Sequence, residues 1–126
     1  MLQHKTSNAI VAVSDLERAR AFYTDTLGLE LAEEAMQGVL RYRTGDSWLV
    51  VYRSENVWPG SGNAVAWNGG GDVEAIAEAL RAKGVRLEEY PALGMRIDRG
   101  VHTSDGFAAI WFKDLDGNVL HVNSAR

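Results

Sequence analysis

No cysteine occurs anywhere in the sequence. That excludes a disulfide framework, a thiolate nucleophile and a zinc–thiolate site, and it agrees with a reducing compartment. Only two prolines interrupt the chain. Positive charge is in deficit as well: 13 Lys and Arg against 17 Asp and Glu leave a net charge of -4. With the basic residues scattered singly, no electrostatic footprint for a phosphate backbone exists, which argues against nucleic acid as a partner. Long apolar runs are missing too. Nothing approaches the roughly 20 residues of a membrane span, and the opening "MLQHKTSNAIVAVSD" reaches charge too soon for a signal peptide. The expectation is a cytoplasmic chain with no membrane partner. Its 126 residues suffice for one domain that buries roughly two-thirds of its unfolded surface and folds without a structural metal.

What is present is a pair of helix signals set in strand-like text. In "VSDLERARAFYTDTLGLEL", Ser14 followed by Glu17 fits a capping box, Leu16, Ala19, Tyr23 and Leu27 share one helical face, and Gly28 is the left-handed stop. In "GGGDVEAIAEALRAKGVRLEE", Asp72 is the cap, Val73, Ile76, Ala77 and Leu80 form the buried stripe, and Gly84 ends the helix. Around them lie short runs rich in β-branched and aromatic residues: 8–13, 29–34, 39–44, 48–54, 64–68, 85–90, 107–113 and 119–123. "RTGDSW" and "DLDGN" read as hairpin turns, because Gly and Asp tolerate the positive φ such turns require.

The order β-α-β-β-β thus occurs twice, and the letters repeat with it. Setting Asp15 on Asp72 and Gly28 on Gly84 aligns the two helices, the second being one residue shorter. Neither copy buries its own sheet face and helix alone. The expectation is an α+β fold in which two tandem βαβββ modules, about 1–58 and about 59–126, form one domain, with the handover in 56–63.

"AIVAVSDLERARAFYTDTLGLEL" and "IWFKDLDGNVLHV" resemble the opening and closing motifs of the vicinal oxygen chelate superfamily, which groups glyoxalase I, bleomycin-resistance proteins, fosfomycin-resistance enzymes and extradiol dioxygenases. The resemblance covers nearly the whole chain. It implies a curled mixed sheet around a cavity and a homodimer. In the members that do chemistry it also implies a divalent metal that holds two adjacent substrate oxygens. Carried over position by position, the ligand sites fall on Asn8, on Val50 (with Leu49 or Val51 as neighbouring choices), on Ala64 or Val65, and on His121. Asparagine is a poor ligand for such an ion and hydrocarbon is none. One imidazole and a distant amide do not make an open three-ligand site, so no metal and no cofactor is expected.

Strand parity suggests what lines the cavity. If Asn8 and Val50 point inward, Ile10, Trp48 and Tyr52 join them, while Ala9, Val11 and Val13 pack on the first helix. Trp48 and Tyr52 would offer flat faces to a planar or cationic ligand, with Asn8 and His121 as polar anchors. Trp67 and Trp111 read as ordinary core, and Trp58 as a residue that closes the groove or meets a second subunit. Other features carry less. "GSGNAV" lacks the third glycine of a nucleotide loop and leads into a strand. Gly69 to Gly71 form a turn before a helix, with anion binding the alternative. Glu33 and Glu34 read as solvated, and His4 lies in the terminus. "YPALGMRIDRGVHTSDG" reads as an irregular loop from which Arg96 or His102 could reach a ligand. Three functions remain: a metal-free protein binding a small, partly aromatic molecule; a lyase, isomerase or dioxygenase using an unrecognised ligand set or His121 as acid or base; and a dimeric regulatory module with a vestigial pocket.

Overall fold

The computed structural model describes every residue except Leu2, Thr6, Gln37, Trp58, Pro59 and Ser61, and for residues 33–36 the backbone alone. The chain forms two compact units, Met1–Trp58 and Pro59–Arg126. In the first, β1 (Ala9–Val13) leads into α1 (Leu16–Ala21), and β2 (Glu30–Met36), β3 (Val39–Thr44) and β4 (Ser47–Arg53) follow. The sheet order is β1-β4-β3-β2, with β1 parallel to β4 and the other pairs antiparallel. In the second unit β5 (Asn63–Asn68) and α2 (Val73–Ala82) precede β6 (Arg96–Asp98), β7 (Val101–Ser104), β8 (Phe107–Lys113) and β9 (Val119–Asn123). The order there is β5-β9-β8-β7-β6, again with one parallel pair, β5 on β9. The fold class is α+β with two mixed sheets. Among the described residues no helix is long and apolar enough to cross a membrane.

One face of each sheet meets its helix. In the first unit Val11 and Val13 of β1, Leu40 and Tyr42 of β3, and Leu49 and Val51 of β4 are buried together with Ala19, Phe22 and Tyr23 of the helical segment. Each such aliphatic side chain contributes about 1.5–3 kcal/mol of burial. In the second, Val65, Ile110, Phe112, Leu120 and Val122 are buried, as are Val73, Ala77 and Leu80 on α2. Trp67 shares the parity of Val65 and is half-buried on that helix side.

The helix ends differ from expectation in instructive ways. The N-cap of α1 is Asp15, whose carboxylate accepts the Arg18 N–H at 3.2 Å; Ser14 stands one residue outside the cap position. After Ala21 the chain widens into a π-helix, Phe22–Thr26, with the Leu27 N–H reaching back to the Phe22 carbonyl at 2.9 Å. Asp72 makes no side-chain cap and instead ends a 3-10 turn, Gly70–Asp72, that feeds α2. Gly28 and Gly84 stop the helices at φ +72° and +81°.

Two strand readings are corrected. Residues 85–90 are not a strand: only an isolated bridge, Leu87 to Phe112, and one bond from the Glu88 N–H to the Trp111 carbonyl at 2.7 Å tie them down. The segment read as an irregular loop instead contains β6 and β7, paired as a hairpin against β8. The second unit therefore runs β-α-β-β-β-β.

Candidate functional site

Ile10, Trp48, Val50 and Tyr52 lie where parity put them, on the helix-free face of the first sheet. The parallel register sets Ile10 beside Val50, and the antiparallel register sets Val50 beside Arg41, Tyr52 beside Val39, and Trp48 beside Arg43. Asn8 is exposed and precedes β1. Val50, Trp48 and Tyr52 are half-buried, whereas Ile10 is 60% exposed. The face of Trp48 offered to a cationic ligand already carries cations of the chain itself: the guanidinium carbons of Arg41 and Arg43 lie 4.3 and 4.6 Å from its ring centroid. Like-charge repulsion makes a further cation unwelcome there.

His121 belongs to the second unit, on the helix-free face of β9, and is 7% exposed. Its Nδ1 lies 3.1 Å from the Ile110 carbonyl, which only accepts, so Nδ1 carries the proton. Its Nε2 is then an acceptor, and the Asn123 side-chain amide donates to it at 3.1 Å. The Asn123 orientation is fixed in turn, because its Oδ1 accepts the Ala125 N–H at 2.9 Å. Both ring nitrogens of His121 are thus engaged in the neutral form.

Around it stands a cluster the sequence reading missed. Trp111, expected in the ordinary core, is directly across from His121 in the β8–β9 register and stacks on its ring at 4.6 Å and 24°. It sits on the helix-free face because it is one strand position away from Ile110 and Phe112. Its indole N–H donates to Asn63 Oδ1 at 3.1 Å. His102 meets Trp111 edge-on at 4.9 Å, and Tyr90 does so at 5.4 Å. His102 is no loop residue awaiting a ligand. It is fully buried on β7, with Nδ1–H donating to the Gly100 carbonyl at 3.0 Å and Nε2 accepting the Tyr90 N–H at 3.0 Å. Arg96 is exposed on β6.

The remaining candidates resolve simply. The Gly69 and Gly70 N–H groups donate to the Asn123 and Ala125 carbonyls, so they are not turned to an anion. His4 is exposed and sits 3.1 Å from the Gln3 amide. Trp58 and the side chains of Glu33 and Glu34 lie outside the described residues. Ala64 is exposed and Val65 buried on the helix side, neither with a donor atom. Among the described residues, no three His, Cys, Asp or Glu side chains converge closely enough to hold a metal ion. The signal for Arg43 and Trp111 was in the two hairpin turns: counting outward from "TGDS" sets Arg43 on Trp48, and from "DLDGN" it sets Trp111 on His121.

Burial lowers the His121 pKa from its ordinary 6.5, and the bond to the Ile110 carbonyl opposes this only in part. The folded imidazole therefore holds its proton less well than the unfolded one. Its contribution to stability is full above pH 6.5 and shrinks as pH falls below that value toward the depressed pKa. Urea melts from pH 7.5 to 5 should show stability falling on the acid side. His121→Gln, which does not titrate, should show a smaller fall; equal slopes in both proteins would contradict the assignment.

Residues 4–122 match the profile of the Glyoxalase/Bleomycin resistance protein/Dioxygenase superfamily. No curated protein matches the sequence. Among solved structures, the genomically encoded fosfomycin resistance protein FosX from Listeria monocytogenes is 16% identical with a TM-score of 0.76, covering 98% of this chain and 92% of that one. Lactoylglutathione lyase from Agrobacterium tumefaciens is 17% identical with a TM-score of 0.71, covering 95% and 92%. The protein SMU.1112c is 25% identical with a TM-score of 0.71, covering 96% and 99%. Since the profile takes in nearly the whole sequence, this chain belongs to the Glyoxalase/Bleomycin resistance protein/Dioxygenase superfamily.

Proposed function

We propose that the protein binds a small, partly aromatic molecule without the help of a metal ion. The state of His121 carries this reading. It is the one residue at the family's ligand positions with a good donor atom, and the single lone pair of its Nε2 already accepts from Asn123. A divalent ion fits the donors of neither unit: in the first Asn8 offers a neutral amide and Val50 hydrocarbon, and in the second Val65 offers hydrocarbon and displacing Asn123 would free only one ligand. The same bond counts against an acid–base role, because the lone pair that would take a proton is occupied. What the first sheet does supply beside the covered Trp48 is flat and apolar surface, Tyr52, Val50 and Ile10, of the kind small planar molecules occupy.

Two measurements on the full chain test the reading. Metal analysis of protein purified without chelator should find Mn, Fe, Ni and Zn well below one equivalent. Thermal melts against a panel of planar compounds should reveal at least one that stabilises. At a hundredfold excess over Kd the gain is about 2.7 kcal/mol, which for a chain of this size raises Tm by roughly 10 °C. One tightly held metal per chain, lost in His121→Ala, would overturn the proposal.

A further inference from the structure

We infer that the ligand of the first sheet is an aromatic carboxylate, its head group on Arg43 and its ring on the hydrocarbon strip of Val50 and Ile10. The inference rests on the binding reading above and names the chemical class that the site takes.

Arg41 and Arg43 occupy alternate positions of β3 on the helix-free face, and the guanidinium carbons of both lie over the Trp48 ring. A guanidinium held over an indole still has N–H groups to offer an acceptor, and a carboxylate matches that fork in pairs. Holding two such cations over one ring is unfavourable unless negative charge lies nearby. Arg43 finds none among the described residues. It is exposed, no carboxylate among the described residues lies within ion-pair distance of it, and Glu30, its cross-strand neighbour on β2, forms no ion pair with it. Arg41 has a further partner of its own, so the head group is assigned first to Arg43. The chain as a whole carries an excess of acid, which makes a surface arginine with no carboxylate beside it among the described residues all the more informative.

The apolar half of the ligand is set by register. Val50 and Ile10 stand side by side on β4 and β1, two residues along from the Trp48 that pairs with Arg43, a step of about 7 Å at the usual strand rise. That accommodates one aromatic ring beside its acid group. Ile10 is 60% exposed, and covering it favours docking through the hydrophobic effect. A neutral ring would gain the second contact without the first. A cation would meet the two guanidinium groups.

Isothermal titration of the full chain with benzoate, benzamide and benzamidine at matched ionic strength tests the assignment. Benzoate should bind at least tenfold tighter than benzamide, and benzamidine should give no heat. Arg43→Gln should bring benzoate to the benzamide level and leave benzamide unchanged. Arg86→Gln, which removes an exposed guanidinium from the second unit, should change neither. Benzamide or benzamidine binding as tightly as benzoate, with Arg43→Gln indifferent, overturns the anion assignment and leaves the binding reading standing. No heat and no thermal shift from any of the three overturns both.

Discussion

Gly100→Ala is expected to lose about 3 kcal/mol of stability or more, read as a lower urea midpoint at unchanged slope. Gly100 is buried in the β6–β7 turn with φ at +88°. An L side chain held there costs about 1–2 kcal/mol on backbone grounds alone. The added methyl would also sit 2.5 Å from Leu87 Cβ and 3.1 Å from Leu87 Cδ1, and overpacking of this kind costs about 1–3 kcal/mol more. Leu87 has little room to retreat, since its bridge to Phe112 and the neighbouring Glu88 N–H bond to Trp111 hold that stretch against β8. Gly106→Ala supplies the control. Its φ is +82°, but nothing lies within 4 Å of the new carbon, so it should show the backbone cost alone. Equal losses in the two variants would refute the steric half of the argument.

His102→Ala should cost still more, about 4 kcal/mol. It opens a cavity where a fully buried ring stood, and large-to-small changes in such places cost about 2–5 kcal/mol. It also strips the Gly100 carbonyl and the Tyr90 N–H of their partners, each worth about 1–3 kcal/mol when left unsatisfied in the interior. His102→Phe separates the two causes: a ring is restored against Trp111 and Tyr90, but neither hydrogen bond returns. It should recover part of the loss, to about 2–3 kcal/mol. Hydrogen exchange at the Tyr90 amide gives an independent reading and should quicken in both variants. A Phe variant as stable as the parent would mean that the ring contacts, and not the hydrogen bonds, hold the 85–95 segment.

Both variants act in the region that was hardest to read from the letters, for a physical reason. "MRIDRGVHTSDG" alternates charge with short apolar steps between glycines, and strands of three and four residues have too little local preference to announce themselves. They exist because β8 offers its edge to them. "VRLEEY" shows the reverse: Val85 and Leu87 alternate as a strand should, yet only Leu87 finds a partner. The hairpin at Gly45 and Asp46 was legible because positive φ is local chemistry, and so were the stops at Gly28 and Gly84. The helix start was ambiguous by one residue because Ser14 and Asp15 are both good caps. Parity placed Ile10, Trp48, Val50 and Tyr52 correctly on one face. It left Arg41, Arg43, Trp111 and Asn123 unread, because they become visible only when the count is carried across a turn into the partner strand.

The wide turn at Phe22–Thr26 resolves the length mismatch between the two otherwise matched helices. A residue inserted into an ordinary α-helix rotates everything beyond it by about 100°, which would have turned Leu27 and the entry to β2 away from the sheet. Swelling one turn absorbs the surplus where it arises, and Phe22 and Tyr23 both remain buried. The insertion is therefore mechanically silent: the strands on either side need not register that one copy of the repeat has grown.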